Sequence, residues 1–369
     1  MALSRRAFLR SSVLAAAPAP PAPQQDDWQG VARVVAVGDV HGDKDAFVAV
    51  LKMAGVVDDQ ERWAAGATHL VQIGDIVARG TQTRQVFDYL MRLESEAAAA
   101  GGKVHAVIGN HDAGAIYGDL RSILPEEYLG FRTPDSEARL AKALDAELAG
   151  LRKENQLPAT PAELDDFKRR WLERHPPGFV EHREAFAPNG PYGSWIRAHN
   201  SVIRINDTLF LHAGISPKHA ATPKRALNTA IRRELADPDR LIPGLTSSIE
   251  GPLWYRGLAE LEEAPLRPHL AAVLRFHSVR RIVIGHCVTR SAILPRFDSR
   301  VVNIDIGLSR FFGRPPACLI LEPTSARVLH RGSSIPLPGP GQLINYLKAV
   351  ESADVTPSPV TALIEKLRG

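Results

Sequence analysis

Cysteine is scarce: Cys287 and Cys318 are the only two in 369 residues, and they form no C-x-x-C pair. That excludes a zinc ribbon and a thioredoxin-type redox site. Both lie in or beside apolar runs, where they read as buried free thiols rather than a disulfide, and such sparse usage fits cytoplasm and periplasm alike. Excess charge of one sign is also lacking. The formal net charge is +4; Arg5, Arg6 and Arg10 in the leader supply three, and 4 − 3 leaves +1 for the rest. No electrostatic case for nucleic acid follows, and no motif fits a nucleic-acid fold. There are no repeats of solenoid length.

The apolar share of 44% is ordinary for a globular chain and can supply a sizeable core. The first residues stand apart. Ser4-Arg5-Arg6-Ala7-Phe8-Leu9-Arg10 precedes Val13-Leu14-Ala15-Ala16-Ala17, the order of an export signal with a small-residue cleavage site. The Arg pair before x-Phe-Leu resembles a twin-arginine signal. Its apolar stretch is far shorter than the about 20 residues that span a bilayer, so no stable membrane association is expected once the leader is removed. Residues 18–25 read as a Pro-rich spacer. The expected location is periplasmic or secreted.

Chemistry concentrates where apolar runs end. Gly38-Asp39-Val40-His41-Gly42-Asp43 follows Val31 to Val37; Gly74-Asp75-Ile76-Val77-Ala78-Arg79-Gly80 follows Leu70 to Ile73; Gly109-Asn110-His111-Asp112 follows Val104 to Ile108. Leu211-His212-Ala213-Gly214 and Gly285-His286 end two later runs. Short apolar runs bounded by glycine read as buried strands. Five strand ends thus deliver Asp, His, Asp, Asn, His and His. Carboxylate, imidazole and amide ligands without thiolate suit Mn, Fe or Zn.

These motifs resemble the calcineurin-like metallophosphoesterase superfamily, and within it the phosphoprotein phosphatase branch. Tyr117-Gly118-Asp119-Leu120-Arg121, Trp254-Tyr255-Arg256-Gly257 and Ile304-Asp305-Ile306-Gly307-Leu308-Ser309 are similar to the Shewanella-like phosphatases of bacteria and plants. The resemblance runs from about Val31 to about Arg331. It implies an α/β fold, a two-sheet sandwich flanked by helices, and hydrolysis of phosphate monoesters by a hydroxide held between two metal ions. It implies that Asp39, His41 and Asp75 hold the first metal, and that Asp75, Asn110, His212 and His286 hold the second, with Asp75 bridging. Arg79 and Arg256 match phosphate-binding arginines, and His111 matches the general acid. The implied substrate is a phosphorylated protein or small phosphoester, with a preference for phosphotyrosine or aryl phosphates. A phosphodiesterase or nucleotide hydrolase of the same superfamily is the alternative among enzymes. A phosphate-binding module with weakened catalysis is the alternative outside them.

One departure motivates that last alternative. Where the family has Val-Asp-Arg-Gly, this chain has Val77-Ala78-Arg79-Gly80. The missing carboxylate normally orients the acid His, and losing such a partner costs typically about 10–100-fold in metal-site cases. Asp112, read on an extended segment, points away from its neighbour His111 and is not taken as a substitute; Asp119 is a candidate. Ala78→Asp is expected to recover about tenfold on phosphoserine, a fraction of what general acids contribute.

Between the motifs, residues 44–53 and about 82–99 carry apolar faces at helical spacing. This is a β-α-β-α-β unit whose motifs sit at strand exits, an arrangement that argues for parallel pairing. Residues 113–200 read as an inserted cap, with two or three helices over 136–174. It forms either a solvated face or a control on substrate access. Residues 202–211 read as a hairpin around Asn206-Asp207, and 222–235 as a helix. The expected organisation is leader and spacer over 1–27, one catalytic domain over 28–332, and a tail of short helices over 333–369. His69 and His105 read as core residues. The remaining histidines carry no motif.

Overall fold

The computed structural model describes residues 25–237, 244–289, 292–313 and 315–368. The leader through residue 24, and residues 238–243 of the 238–252 stretch that reads as loop in the sequence, lie outside them.

Among the described residues, twelve strands form two six-stranded sheets. The first has the order β12-β11-β10-β2-β3-β4, where β2 is Val34–Val37, β3 His69–Gln72, β4 Lys103–Ala106, β10 Ala317–Glu322, β11 Ser325–His330 and β12 Ser333–Pro336. β2, β3 and β4 are parallel, as the crossover pattern requires. The crossovers are helices α1 (Lys44–Met53) and α2 (Thr83–Ala99). Asp43 caps α1, its side chain accepting from the Ala46 N–H. The second sheet has the order β1-β5-β6-β7-β9-β8, with β1 Asp27–Trp28, β5 Val202–Ile205, β6 Thr208–Leu211, β7 Arg281–Ile284, β8 Leu294–Arg296 and β9 Val301–Asn303. The β5–β6 hairpin turns at Asn206, which takes φ +53° and fastens Val31 through its side chain.

Side-chain alternation explains why the sheets stack. On the second sheet, Ile203, Ile205, Phe210, Val283 and Val302 join one core with Val35, Val37 and Leu70 of the first. Their neighbours Val202, Leu209, Leu211, Ile282, Ile284 and Val301 form a separate core on the opposite face. Leu227 of helix α9 (Lys224–Ala236) covers that face. So do Leu258 of α10 (Gly257–Glu260) and Leu270, Val273 and Leu274 of α11 (Glu263–His277). The architecture is therefore a two-sheet sandwich flanked by helices.

The strands are shorter than the apolar runs at the site. The 31–37 run contributes only Val34–Val37, and the 301–306 run only Val301–Asn303. Of the remaining apolar residues, Val31, Ile304 and Ile306 are buried loop and Ala32 is exposed. The insertion is more helical than its Glu- and Ala-rich stretch indicates. After α3 (Asn110–Tyr117) come α4 (Pro125–Leu129), α5 (Ser136–Lys153), α6 (Pro161–Arg174), α7 (Phe179–Ala185) and α8 (Pro191–Ala198). Tyr128, Leu140, Trp171 and Phe179 give it a small core of its own. Phe186, Tyr192 and Trp195 clamp it around Phe87 of α2 at centroid distances of 5.3, 4.8 and 5.5 Å. The tail adds strand β12 as well as helices α12 (Leu343–Ser352) and α13 (Thr361–Arg368).

Candidate metal centre and phosphate pocket

The loops after β2 and β3 are stitched together. The N–H groups of Val40 and His41 donate to the Asp75 carbonyl at 3.2 and 2.9 Å, and that of Gly42 donates to Ile76 at 2.7 Å. Gly80 passes so close to the His41 carbonyl that a Cβ there would lie 2.1 Å from its oxygen. His41, Asp75, Ala78, Arg79 and His286 all take positive φ, between +46° and +75°. A non-glycine residue held there costs on the order of 1 kcal/mol, and such residues cluster at functional sites.

The structure brings all six candidate ligands together. Asp39, His41 and Asp75 form one buried group of facing donor atoms, and Asp75, His212 and His286 form another. Asp75 belongs to both. The Asn110 side-chain oxygen lies 2.9 Å from His212 Nε2. His41 Nδ1 and His212 Nδ1 each face a backbone carbonyl, that of Val77 at 3.1 Å and that of Ile73 at 3.0 Å. A carbonyl only accepts, so each Nδ1 carries a proton and each Nε2 faces the cluster, the outer support expected of metal-binding imidazoles. His286 Nε2 is buried without a hydrogen-bond partner.

The electrostatics match that donor set. Burial, with Asp305 and Asp75 nearby, raises the Asp39 carboxyl well above the usual carboxylate range. Burial raises Asp305 and Asp112 to about 6 each. Burial would raise Asp75 too, but the imidazoles of His212 and His111 draw it well below the ordinary value. Burial lowers His41 to about 3 and His286 to about 2, so both present neutral lone pairs. His212 alone is raised, because attraction to Asp75 outweighs burial. Buried carboxylates sharing space with neutral imidazoles fit divalent cations, which offset the repulsion among the acids.

Asp75 is also where helix α3 begins. The His111 N–H donates to its carboxylate at 2.9 Å, placing the negative charge at the positive end of that helix. The His111 side chain lies on the wall, its Nε2 3.9 Å from Asp75. A cavity of about 170 Å³ opens here, lined by Asp75, Asn110 and His111 with Arg79, Arg256 and Trp254. Gly114, Asp119, Arg121 and Ser122 of the insertion also line it. Arg79 donates to His41 Nε2 at 3.0 Å and stacks over Phe312 at 5.4 Å. Arg256 is exposed and reaches Glu260 at 3.2 Å and Cys287 Sγ at 3.3 Å. Both cysteines are free and buried.

Two assignments change. Residues 110–112 are helical rather than extended. The Asp112 carboxylate accepts from the N–H groups of Asp75, Ile76, Val77 and Gly109 at 2.9, 2.9, 3.2 and 2.9 Å. It is a clamp on the Asp75 loop, committed to backbone and not to His111. Asp305, part of the Ile-Asp-Ile-Gly motif, received no role from sequence, yet it lies fully buried beside Asp39. Its signal was an acid closing an apolar run, the same signal that marked Asp39 and Asp75.

The chain belongs to the calcineurin-like phosphoesterase family, whose pattern matches residues 32–288. Among curated proteins it is similar to Shewanella-like protein phosphatase 2 of Arabidopsis thaliana, with 26% identity over 287 residues, 75% of this chain and 72% of the relative. An uncharacterized Schizosaccharomyces pombe protein is 28% identical over 295 residues, 78% of this chain and 76% of the relative. Among solved structures it is similar to the cold-active protein-tyrosine phosphatase of a psychrophilic Shewanella species, with a TM-score of 0.65 and 26% identity, covering 85% of this chain and 82% of that one. These relatives and the family make the protein a phosphoester hydrolase of a class that uses divalent metals.

Proposed function

We propose that this protein is a dinuclear-metal phosphomonoesterase acting on phosphoproteins, with a preference for phosphotyrosine and other aryl phosphates. The observation that carries this reading is Asp75. It is shared between two ligand groups, receives the N–H of His111, and lies four residues before Arg79 on the wall of the same cavity. Asp39, His41 and Asp75 would hold one cation; Asp75, Asn110, His212 and His286 would hold the other. Two cations bound there supply Lewis acidity and a lowered pKa for water.

The chain's own groups do the rest. Arg79 presents a planar fork matched to phosphate oxygens, with its amide anchored to the Ser122 carbonyl. Arg256, also on the lining of the cavity, offers the ester a second guanidinium. Trp254 is fixed by its indole N–H on the Thr246 carbonyl at 2.9 Å and gives the cavity one aromatic side. His111 donates the proton that the departing oxygen needs. Burial lowers its pKa and Arg79 adds to that, while Asp75 and Asp119 oppose. A phenolate leaves with less proton help than a serine alkoxide, the phenol of tyrosine having a pKa of about 10. The similar Shewanella structure is that of a protein-tyrosine phosphatase, which supports the same reading.

The test is a panel of matched phosphotyrosine and phosphoserine peptides, p-nitrophenyl phosphate and its bis-ester, run on protein of known metal content. Higher kcat/KM on phosphotyrosine supports the reading; turnover confined to the diester refutes it. Export through the twin-arginine route is proposed from Arg5-Arg6 and the small residues after them. A mature chain that remains cytoplasmic and begins at residue 1 or 2 would rule it out.

A further inference from the structure

The loop carrying Arg79 is held by the insertion. Five consecutive amides, from Asp75 to Arg79, donate to groups that follow Asn110 in the chain. Asp112 takes the first three, a Glu127 carboxyl oxygen takes that of Ala78 at 3.5 Å, and the Ser122 carbonyl takes that of Arg79 at 3.2 Å. Glu127 also receives the Thr83 hydroxyl at 2.8 Å, spanning both ends of the 78–83 turn. It is a charged residue type with no exposed surface. Behind it lies His182, fully buried, its Nε2 3.8 Å from the same carboxyl oxygen. The rings of Tyr128, Phe131 and Phe186 surround that imidazole at 5.0, 4.9 and 4.6 Å.

A buried carboxyl is costly unless it serves hydrogen bonds. The bonds Glu127 serves are all on the turn. Ala78 and Arg79 both sit at positive φ, a conformation that persists only when surrounding contacts over-determine it. Ala78 has no side-chain polar atom with which to hold itself. Asp112 fixes the turn up to residue 77, and Glu127 is what holds the next amide.

We propose that Glu127 is a positioning residue for phosphate binding: by accepting from Ala78 and Thr83 it sets the turn that aims Arg79 into the cavity, and so couples the inserted cap to the site. The inference rests on the reading of Arg79 as a phosphate ligand. His182 backs the carboxyl and excludes water from it.

The experiment is calorimetric titration of inorganic phosphate into the metal-loaded, full-length protein, with metal content measured alongside. Misplacing a positioned group by about 1 Å can cost on the order of 100-fold, so Glu127→Ala should weaken phosphate binding by about ten- to a hundredfold with both metals retained. Glu127→Gln keeps an oxygen acceptor and should stay within about threefold of wild type, since a rescued hydrogen bond restores the geometry. In an Arg79→Ala background, Glu127→Ala should add nothing further, because the two act through one contact. Should Glu127→Ala fail to fold, Glu127→Asp, which withdraws the acceptor by one methylene, should reproduce the weakened binding. Unchanged phosphate affinity in the folded variant, loss of metal, failure of Gln to rescue, or full additivity with Arg79→Ala would each overturn the proposal. Wild-type protein that binds phosphate but turns over no monoester would sink the phosphatase reading and leave this one standing.

Discussion

Glu127 should make stability depend on pH in a way one substitution removes. Burial pushes its carboxyl up to about 8 from 4.5, with the bonds from Thr83 and Ala78 acting against burial. The folded chain therefore holds a proton that the unfolded chain has released. The stability tied to that proton is fully present below about pH 4.5 and falls as pH rises, until it is spent above about pH 8. Each pH unit between those values is worth about 1.4 kcal/mol. Going from pH 6.5 to 8.5, the unfolded state loses nothing more, while the folded state gives up most of its proton, and the net loss is about 2 kcal/mol. Gln mimics the neutral acid and does not titrate. Urea unfolding of wild type and Glu127→Gln at both pH values isolates this group, because every other titration is common to the two chains. The variants should agree within about 0.5 kcal/mol only below about pH 4; Gln should be the more stable by about 3 kcal/mol at pH 6.5 and by about 5 kcal/mol at pH 8.5, a gap that widens by about 2 kcal/mol between the two. Parallel curves, with no widening gap, would refute the buried neutral acid.

Asp75→Asn should lower occupancy of both metals, whereas Asn110→Ala should lower chiefly one; elemental analysis with two metals retained in the Asp75 variant would deny the bridge. His111→Asn should cost about 10²–10⁴-fold on phosphoserine peptide and less on p-nitrophenyl phosphate, read as kcat/KM on both; equal losses would remove His111 as the acid. Ala78→Asp is now expected to reduce kcat/KM on every ester and to destabilise the fold by about 1–3 kcal/mol, because position 78 is wholly buried with its amide against Glu127. A gain confined to phosphoserine would reverse that and restore the expectation from sequence.

The candidate ligands, which the structure brings together, were legible because they close apolar runs. A strand end needs no knowledge of tertiary structure to be recognised, and six donors at five strand ends imply convergence once the strands share two sheets. The helices α1 and α2 were legible for the same reason, through spacing. What sequence did not disclose was support by groups far along the chain. Glu127 lies in a five-residue helix whose burial depends on His182 and Phe186, more than fifty residues along the chain, as well as on Tyr128 and Phe131 beside it. Asp112 was rightly set aside as a partner for His111, but on an extended geometry; its clamp on the Asp75 loop follows from α3 starting at Asn110. Helix α11 went unseen: Pro268 inside it breaks the pattern that marks a helix, and packing of Leu270, Val273 and Leu274 restores it.

The two ligand groups differ in how much of the chain must be assembled to make them. Asp39, His41 and Asp75 belong to one β-α-β unit with nearby partners in sequence. The second group needs His212 and His286 from the other sheet, which arrives only after the whole insertion has been threaded past. Closing so long a loop is slow relative to local pairing. On the two-metal reading proposed above, the first cation would be captured by a half-built molecule, and the second would report that the layers have met. Refolding with metal present should show two loading steps, the later coinciding with burial of Trp254 beside His286; a single concerted step would mean that the layers dock before either ion is held.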